Sequence, residues 1–358
     1  MVINYYVPIL NLEYMTKPSV IMVVAKYPAT YGHTTVINNL CLGLKKLGHK
    51  TAVGAFKFES DPPEGIEKIV LNKKQLLRTG VSKLDFDIIH PHQAQVLYYL
   101  LFKKPDKPIV FHYHAASNIV QELNLKVSMG LFKKRIKKTI CVSNKALNHL
   151  REWAGDCNST VIYNGVNTNF YHPNLEKQYQ KGLPQLLFVS VLRKYKKTSD
   201  LINAMPKFLK KYPKAHLQIV GNGADFNTLQ KLIQDKNLEK SVEMTGRIDD
   251  DELRLRYASC DLYVSASTNE HCPVPTFEAM ACGKPLVLSK LESHIEILDD
   301  SKAGLAFSFS NNDDLCDKMD KVFQDKIALG NNAIKFANKH NLEKFCERVE
   351  EVYSNILI

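Results

Sequence analysis

Ser19-Val-Ile-Met-Val-Val-Ala25 is an unbroken apolar run that reads as a buried strand, followed by a polar loop with Pro28 and Gly32. A helix is expected from about Thr35 to Leu47, because Val36, Leu40, Leu44 and Leu47 fall on one face. Gly48 closes it, and Lys50-Thr-Ala-Val-Gly-Ala-Phe56 opens the next strand. Strand–helix–strand with apolar strands means a parallel sheet covered on both faces.

The same rhythm continues outward. Asp87-Ile-Ile-His90, Pro108-Ile-Val-Phe-His-Tyr-His114 and Thr139-Ile-Cys-Val142 are further strands. It restarts at Gln185-Leu-Leu-Phe-Val-Ser-Val191, with a helix over about Ser199 to Lys211 and a strand at His216-Leu-Gln-Ile-Val220. Leu262-Tyr-Val-Ser265 and Pro285-Leu-Val-Leu288 continue the set. Asn164-Gly-Val-Asn-Thr-Asn-Phe-Tyr-His-Pro173 is rich in turn formers and reads as a linker. The expected architecture is α/β, with two parallel-sheet domains over residues 1–168 and 169–341 facing each other across a cleft. The last helix, about 342–358, is expected to cross back onto the first domain. Ligands of open parallel sheets bind beyond the carboxyl ends of the strands, which places the site in that cleft.

The chain has 358 residues, 45% hydrophobic and 24% charged, which fits two full cores and excludes a disordered or low-complexity protein. Its longest apolar stretches, such as Val20–Ala25 and Val96–Phe102, fall far short of the roughly 20 residues of a membrane span. The opening Met1-Val2-Ile3-Asn4-Tyr5-Tyr6 lacks the features of a secretory signal, and the eight cysteines are scattered without a C-x-x-C pair. A reducing, cytoplasmic address is expected. Up to Phe170 there are 22 Lys+Arg against 11 Asp+Glu, while the remainder is balanced. The surplus is densest at Lys133, Lys134, Arg135, Lys137 and Lys138, beside Leu131, Phe132 and Ile136. An anionic membrane surface is the expected partner of that segment; nucleic acid is not expected.

Several chemistries lack their residues. Gly221-Asn-Gly223 follows a strand, yet the third glycine of a dinucleotide fingerprint would fall on Phe226. Neither a G-x-x-x-x-G-K-[ST] loop nor a G-x-S-x-G elbow is present. Asp85-Phe-Asp87 precedes its strand and reads as a turn. His90 with His92, and His112 with His114, lie on one side of their strands by period-2 geometry, where cleft-lining or core roles are favoured over a metal. The sharpest signal is Glu270-His-Cys-Pro-Val-Pro-Thr-Phe-Glu278, followed by Ala-Met-Ala-Cys-Gly-Lys-Pro285. Two carboxylates flank a proline-containing loop, and the second is expected to open a short helix, where the dipole stabilises its charge and it can bond hydroxyls such as those of a ribose.

In this setting the chain resembles the retaining glycosyltransferases of family 4, which have the GT-B fold. The resemblance runs from Ser19 through Tyr27-Pro28, Gly32, Gly48-His49, His114, Ser143 and Asn164-Gly165-Val166. It continues through Gly221-Asn-Gly223, Thr245-Gly246-Arg247, Tyr257, Asp261, Ser265-Ala-Ser267, the E-x7-E segment, Glu296 and Gly304.

The resemblance implies transfer of a sugar from a nucleoside-diphosphate sugar to an acceptor hydroxyl of a glycan or lipid-linked molecule, with retention and with no metal or other cofactor. By that analogy the second domain holds the donor through Gly221, Gly223, Arg247, Val274, Thr276 and Glu278, with Gly32 reaching it from the first. Glu270 sits near the transferred sugar, and His114 faces the acceptor side. Arg193, Lys196 and Lys197 are the cations expected to stabilise the departing diphosphate. The chain departs from the family at Val191, where an arginine is common, at His33, where a second glycine is common, and at Pro273 and Pro275. A sugar-phosphate-forming enzyme with a soluble acceptor, or a nucleotide-sugar-binding protein without turnover, are the alternatives.

Overall fold

The computed structural model describes residues 17–29, 32–116 and 118–357. The first sixteen residues, counted with the first domain in the division at 168, lie outside the described residues. The apolar run forms β1 (Val20–Tyr27), and the first half adds β2 (Thr51–Phe58), β3 (Glu67–Val70), β4 (Ile88–Pro91), β5 (Val110–Tyr113), β6 (Lys138–Cys141) and β7 (Ser159–Val161). They run parallel in the order β3-β2-β1-β4 and β5-β6-β7, and an Ile89–Ile109 bridge joins the two groups. Alternation along β1 shows why the run is apolar throughout. Val20, Met22 and Val24 pack under the helices His33–Lys46 and Leu342–Leu357, while Ile21 and Val23 face the core of the opposite side. Asp87 belongs to a turn, as its position before the strand implies: it accepts the Ser19 backbone N–H at 2.7 Å.

The second half forms β8 (Gln185–Val189), β9 (His216–Val220), β10 (Val242–Gly246), β11 (Leu262–Ser265), β12 (Leu286–Ser289) and β13 (Gly304–Phe307). Their order is β10-β9-β8-β11-β12-β13, all parallel, so the strand order reverses beside β8. That reversal opens a crevice at the carboxyl ends of β8 and β11. Leu186 and Phe188 of β8 pack toward one apolar layer and Leu187 and Val189 toward the other.

The terminal helix Leu342–Leu357 lies on the first domain. The Leu342 N–H donates to the Val166 carbonyl at 2.9 Å, Glu350 accepts from Lys17 and meets His49 Nε2 at 2.9 Å, and Tyr353 hydrogen-bonds His90. The sheet of one domain is thus completed by a helix that follows the other.

One local expectation is corrected. The helix after Glu270 runs Val274–Ala281, so Glu278 does not open it but lies a turn inside. Pro275 occupies its first turn, where a missing N–H costs no helical hydrogen bond.

Candidate active site

The cleft lies where the carboxyl ends of the two sheets meet. From the first domain it is lined by Gly32 and His33 after β1, His114 and Ala115 after β5, and Val142 after β6. The second supplies Val189–Val191 and Lys196 after β8, and Glu270–Pro275 after β11. Gly32 has φ of 78°, the left-handed backbone that favours glycine, and it turns the chain directly into the His33–Lys46 helix. His33 replaces a second glycine with a ring that stacks on His114 at 4.3 Å between centroids. Burial pulls His33 down to about 4 and His114 well below its ordinary value, so both are neutral near pH 7.

Glu270 and Lys196 form an ion pair on the second domain's wall of the cleft, with side chains 15% and 13% exposed. The Glu270 carbonyl is held from both domains, by Ser293 Oγ at 2.8 Å and by Lys145 Nζ at 3.3 Å. Burial lowers the pKa of Lys145. A lysine and a carboxylate are therefore fixed at the mouth of β8, where an incoming anion would compete with Glu270 for Lys196.

Glu278 points into the adjoining part of the cleft, which it lines with Asn167, Tyr171 and Asp250. It is 7% exposed and accepts the Tyr257 hydroxyl at 2.9 Å. Burial pushes its carboxyl up to about 7, although bonds from Tyr257 and Tyr171 act the other way. Such a carboxylate is short of donors, which two ligand hydroxyls would supply.

The other expected donor contacts divide. Val274 lines both parts of the cleft. Thr276 is fully buried behind the loop, and Arg247 is exposed; neither lines the cleft. Gly221 and Gly223 also lie outside its lining, and the structure gives them a packing role: a Cβ on Gly221 would meet the Ser190 carbonyl oxygen at 1.9 Å, and one on Gly223 the Leu192 oxygen at 2.2 Å. Their bare backbones let this turn press against the loop that carries Lys196. Of the three expected cations, Lys196 lines the cleft, whereas Arg193 is half-buried and Lys197 exposed, both beyond the lining. Tyr171 and Lys145 carry no local signal in the sequence. They enter through the fold.

The two domains are clasped by Glu296. Its carboxylate accepts the Asn144 backbone N–H at 2.9 Å, the Asn144 side chain at 2.8 Å and the Tyr163 hydroxyl. It thereby caps the helix Asn144–Ala154 from the opposite domain, together with Ser143, which accepts from the Ala146 N–H at 3.1 Å.

Family comparison agrees with this geometry over both domains. Residues 31–170 match the model described as Glycosyltransferase Family 4, and residues 174–340 match Glycosyl transferases group 1. The chain is a family-4-like GT-B glycosyltransferase.

The glycosyltransferase is 26% identical to the alpha-monoglucosyldiacylglycerol synthase of Acholeplasma laidlawii, over 93% of this chain and 96% of that one. It is 28% identical to the phosphatidyl-myo-inositol mannosyltransferase of Mycobacterium tuberculosis, over 62% and 59%. Its fold matches Anabaena HepE, solved with UDP-glucose, at a TM-score of 0.78 and 19% identity, covering 94% and 100%.

No described helix of the transferase is long and apolar enough to cross a membrane. The basic segment is less free than its composition implies. Lys133 donates to the Ala154 carbonyl at 2.9 Å, Arg135 to Phe102 at 3.1 Å, and Lys138 to Asn158 at 2.8 Å, while Lys134, Arg135 and Lys137 are its exposed charges. Directly before it, helix Ile119–Phe132 exposes Ile119, Leu123, Val127 and Leu131 at 49–64% of their surface, a four-residue repeat along one side. Gln121 of the same helix lines the cleft.

Proposed function

We propose that the chain transfers a hexosyl group, with retention and without a metal, from a nucleoside-diphosphate sugar to a hydroxyl of a lipid-linked acceptor at an anionic membrane surface. The observation that carries this reading is the apolar stripe Ile119–Leu123–Val127–Leu131, which leads from the basic Lys134 and Lys137 toward the mouth of the cleft. An apolar face flanked by lysines is the composition of a helix lying in a lipid interface. The names of the two curated relatives, a glucosyldiacylglycerol synthase and a phosphatidylinositol mannosyltransferase, point the same way.

In this reading Glu278 holds the ribose, and Lys196 exchanges Glu270 for the diphosphate, which frees Glu270 to take a sugar hydroxyl. The bond from the anomeric carbon to the β-phosphate oxygen breaks, and a bond from that carbon to the acceptor oxygen forms on the same face. The acceptor proton passes to the departing phosphate oxygen. Lys196 lowers the cost of the charge that develops there.

The test is incubation with UDP-, GDP- and ADP-hexoses and with vesicles of phosphatidylglycerol containing diacylglycerol, in the presence of a chelator. Expected are a glycolipid with the donor's anomeric configuration and poor transfer when phosphatidylcholine replaces phosphatidylglycerol. Leu123→Gln with Leu131→Gln should reduce vesicle binding and lipid glycosylation together. Donor binding without transfer would identify a degenerate binder, and transfer only to a soluble sugar phosphate would replace the lipid acceptor.

A further inference from the structure

A column of imidazoles runs inward from the cleft. His33 stacks on His114 at 4.3 Å, His114 on His112 at 4.6 Å, and His112 on His92 and His90 at 5.0 and 5.3 Å. Tyr353 of the terminal helix closes the column through His90 Nδ1. His90, His92 and His112 are at most 1% exposed, and among the described residues the ring nitrogens of these three and of His114 hydrogen-bond with one another, with Tyr353 and with Met22.

One nitrogen from each of His90, His92 and His112 lies within 4.8 Å of the others. Nitrogens of this group are already engaged within the protein: His90 Nε2 meets His112 Nδ1 at 3.2 Å, and His92 Nε2 faces the Met22 sulfur at 3.4 Å. The arrangement suits neutral rings that exchange hydrogen bonds.

The position of one proton in the column can be deduced. His92 Nε2 faces the Met22 thioether at 3.4 Å, and a thioether has no hydrogen to give, so that nitrogen carries the N–H. A neutral His92 then has a bare Nδ1, which lies 2.9 Å from His114 Nε2. His114 must therefore donate through Nε2, which leaves Nδ1 as its bare nitrogen.

We propose that His92, set by Met22, is a positioning residue that locks His114 in its Nε2–H tautomer, so that His114 offers the cleft a hydrogen-bond acceptor for a neutral sugar hydroxyl. The sandwich between His33 and His112 keeps the ring from swinging away. Burial holds His92 and His114 uncharged, in keeping with this arrangement. A bare nitrogen takes a hydroxyl proton but repels a carboxylate or phosphate, so the His114 subsite selects an unmodified hydroxyl over a uronate or a phosphorylated sugar. The proposal rests on the reading that His114 faces a reacting sugar.

The experiment is a long-range ¹H–¹⁵N correlation spectrum of the full chain labelled with ¹⁵N-histidine, His114 being assigned by its loss in His114→Gln. The wild type should show His114 protonated on Nε2 alone. Met22→Leu keeps the apolar volume but removes the sulfur; both His114 tautomers should then appear, with kcat down about tenfold and nucleotide-diphosphate affinity unchanged. A wild-type His114 protonated on Nδ1, an imidazolium, or an unaltered single tautomer in Met22→Leu would overturn the proposal. The wild-type spectrum decides the first two even if Met22→Leu does not fold. An Nε2–H spectrum from a protein that transfers no sugar would instead overturn the glycosyl-transfer reading of the cleft and leave the tautomer assignment standing.

Discussion

Glu278 accepts the hydroxyl of Tyr257 at 2.9 Å inside the second domain, and both side chains are buried. The pair leaves a carboxylate with little solvent, and burial raises its pKa from 4.5 to about 7. A folded-state value above the unfolded one favours the protonated form, so this stability is full below about pH 4.5 and is lost as pH rises through 7. Glu278→Gln should therefore match the wild type near pH 4.5 and become more stable than it at pH 8, by on the order of 2–3 kcal/mol. Thermal unfolding at the two pH values measures this, and nucleotide should no longer raise the midpoint of the variant. An equal difference at both pH values would show that Glu278 is not ionising in the folded protein.

The Lys196–Glu270 pair makes opposite predictions for stability and rate. Lys196→Met strands a carboxylate in a poorly hydrated cleft and should cost on the order of 2 kcal/mol, less than for a fully enclosed pair. Adding Glu270→Gln should recover most of that loss. Sugar transfer should fall by about 10²–10³ in Lys196→Met and stay low in the double variant. Transfer near the wild-type rate in Lys196→Met would show that Lys196 only pairs with Glu270 and stabilises no charge on the diphosphate.

Glu296 and Asn144 belong to different domains, and their contact joins the two. Glu296→Ala should raise the radius of gyration in small-angle scattering and slow transfer about tenfold, since misplacement of reacting groups is costly. The nucleotide-induced rise in unfolding midpoint should persist, because Glu278 and Lys196, proposed to hold the ribose and diphosphate, both sit within the second domain. A scattering curve unchanged from the wild type would reassign Glu296 to local helix capping.

Gly223→Ala separates packing from ligand contact. The new Cβ would lie 2.2 Å from the Leu192 oxygen and 2.7 Å from its nitrogen, both backbone atoms. A loss of roughly 2–4 kcal/mol is expected, with the nucleotide-induced midpoint shift retained. An unchanged midpoint with the shift abolished would return Gly223 to the donor site.

Much of this protein was legible along the chain. The apolar runs at Val20–Ala25 and Gln185–Val189 alternate with amphipathic stretches, and that periodicity encodes parallel strands buried on both faces. Elements without it were not readable: β3, with none of its four residues buried, and the short β7 emerge only from pairing with β2 and β6. Pro273 and Pro275 signal a loop locally, which moves the apparent helix start to Glu278, whereas Pro275 fits a helical first turn once the segment is packed.

By itself the sequence determined the two α/β halves, the excess charge of the first, and the residue types at Glu270, Glu278, Lys196 and His114. Only tertiary structure decided what those residues meet. Glu270 and Lys196 are 74 positions apart, Glu296 and Asn144 are 152, and His90 and Tyr353 are 263. Such contacts leave no periodic trace, because they depend on how a sheet stacks, where its order reverses and which helix crosses between domains. Burial then set the chemistry. The same folding that raises Glu278 to about 7 keeps the histidine column neutral.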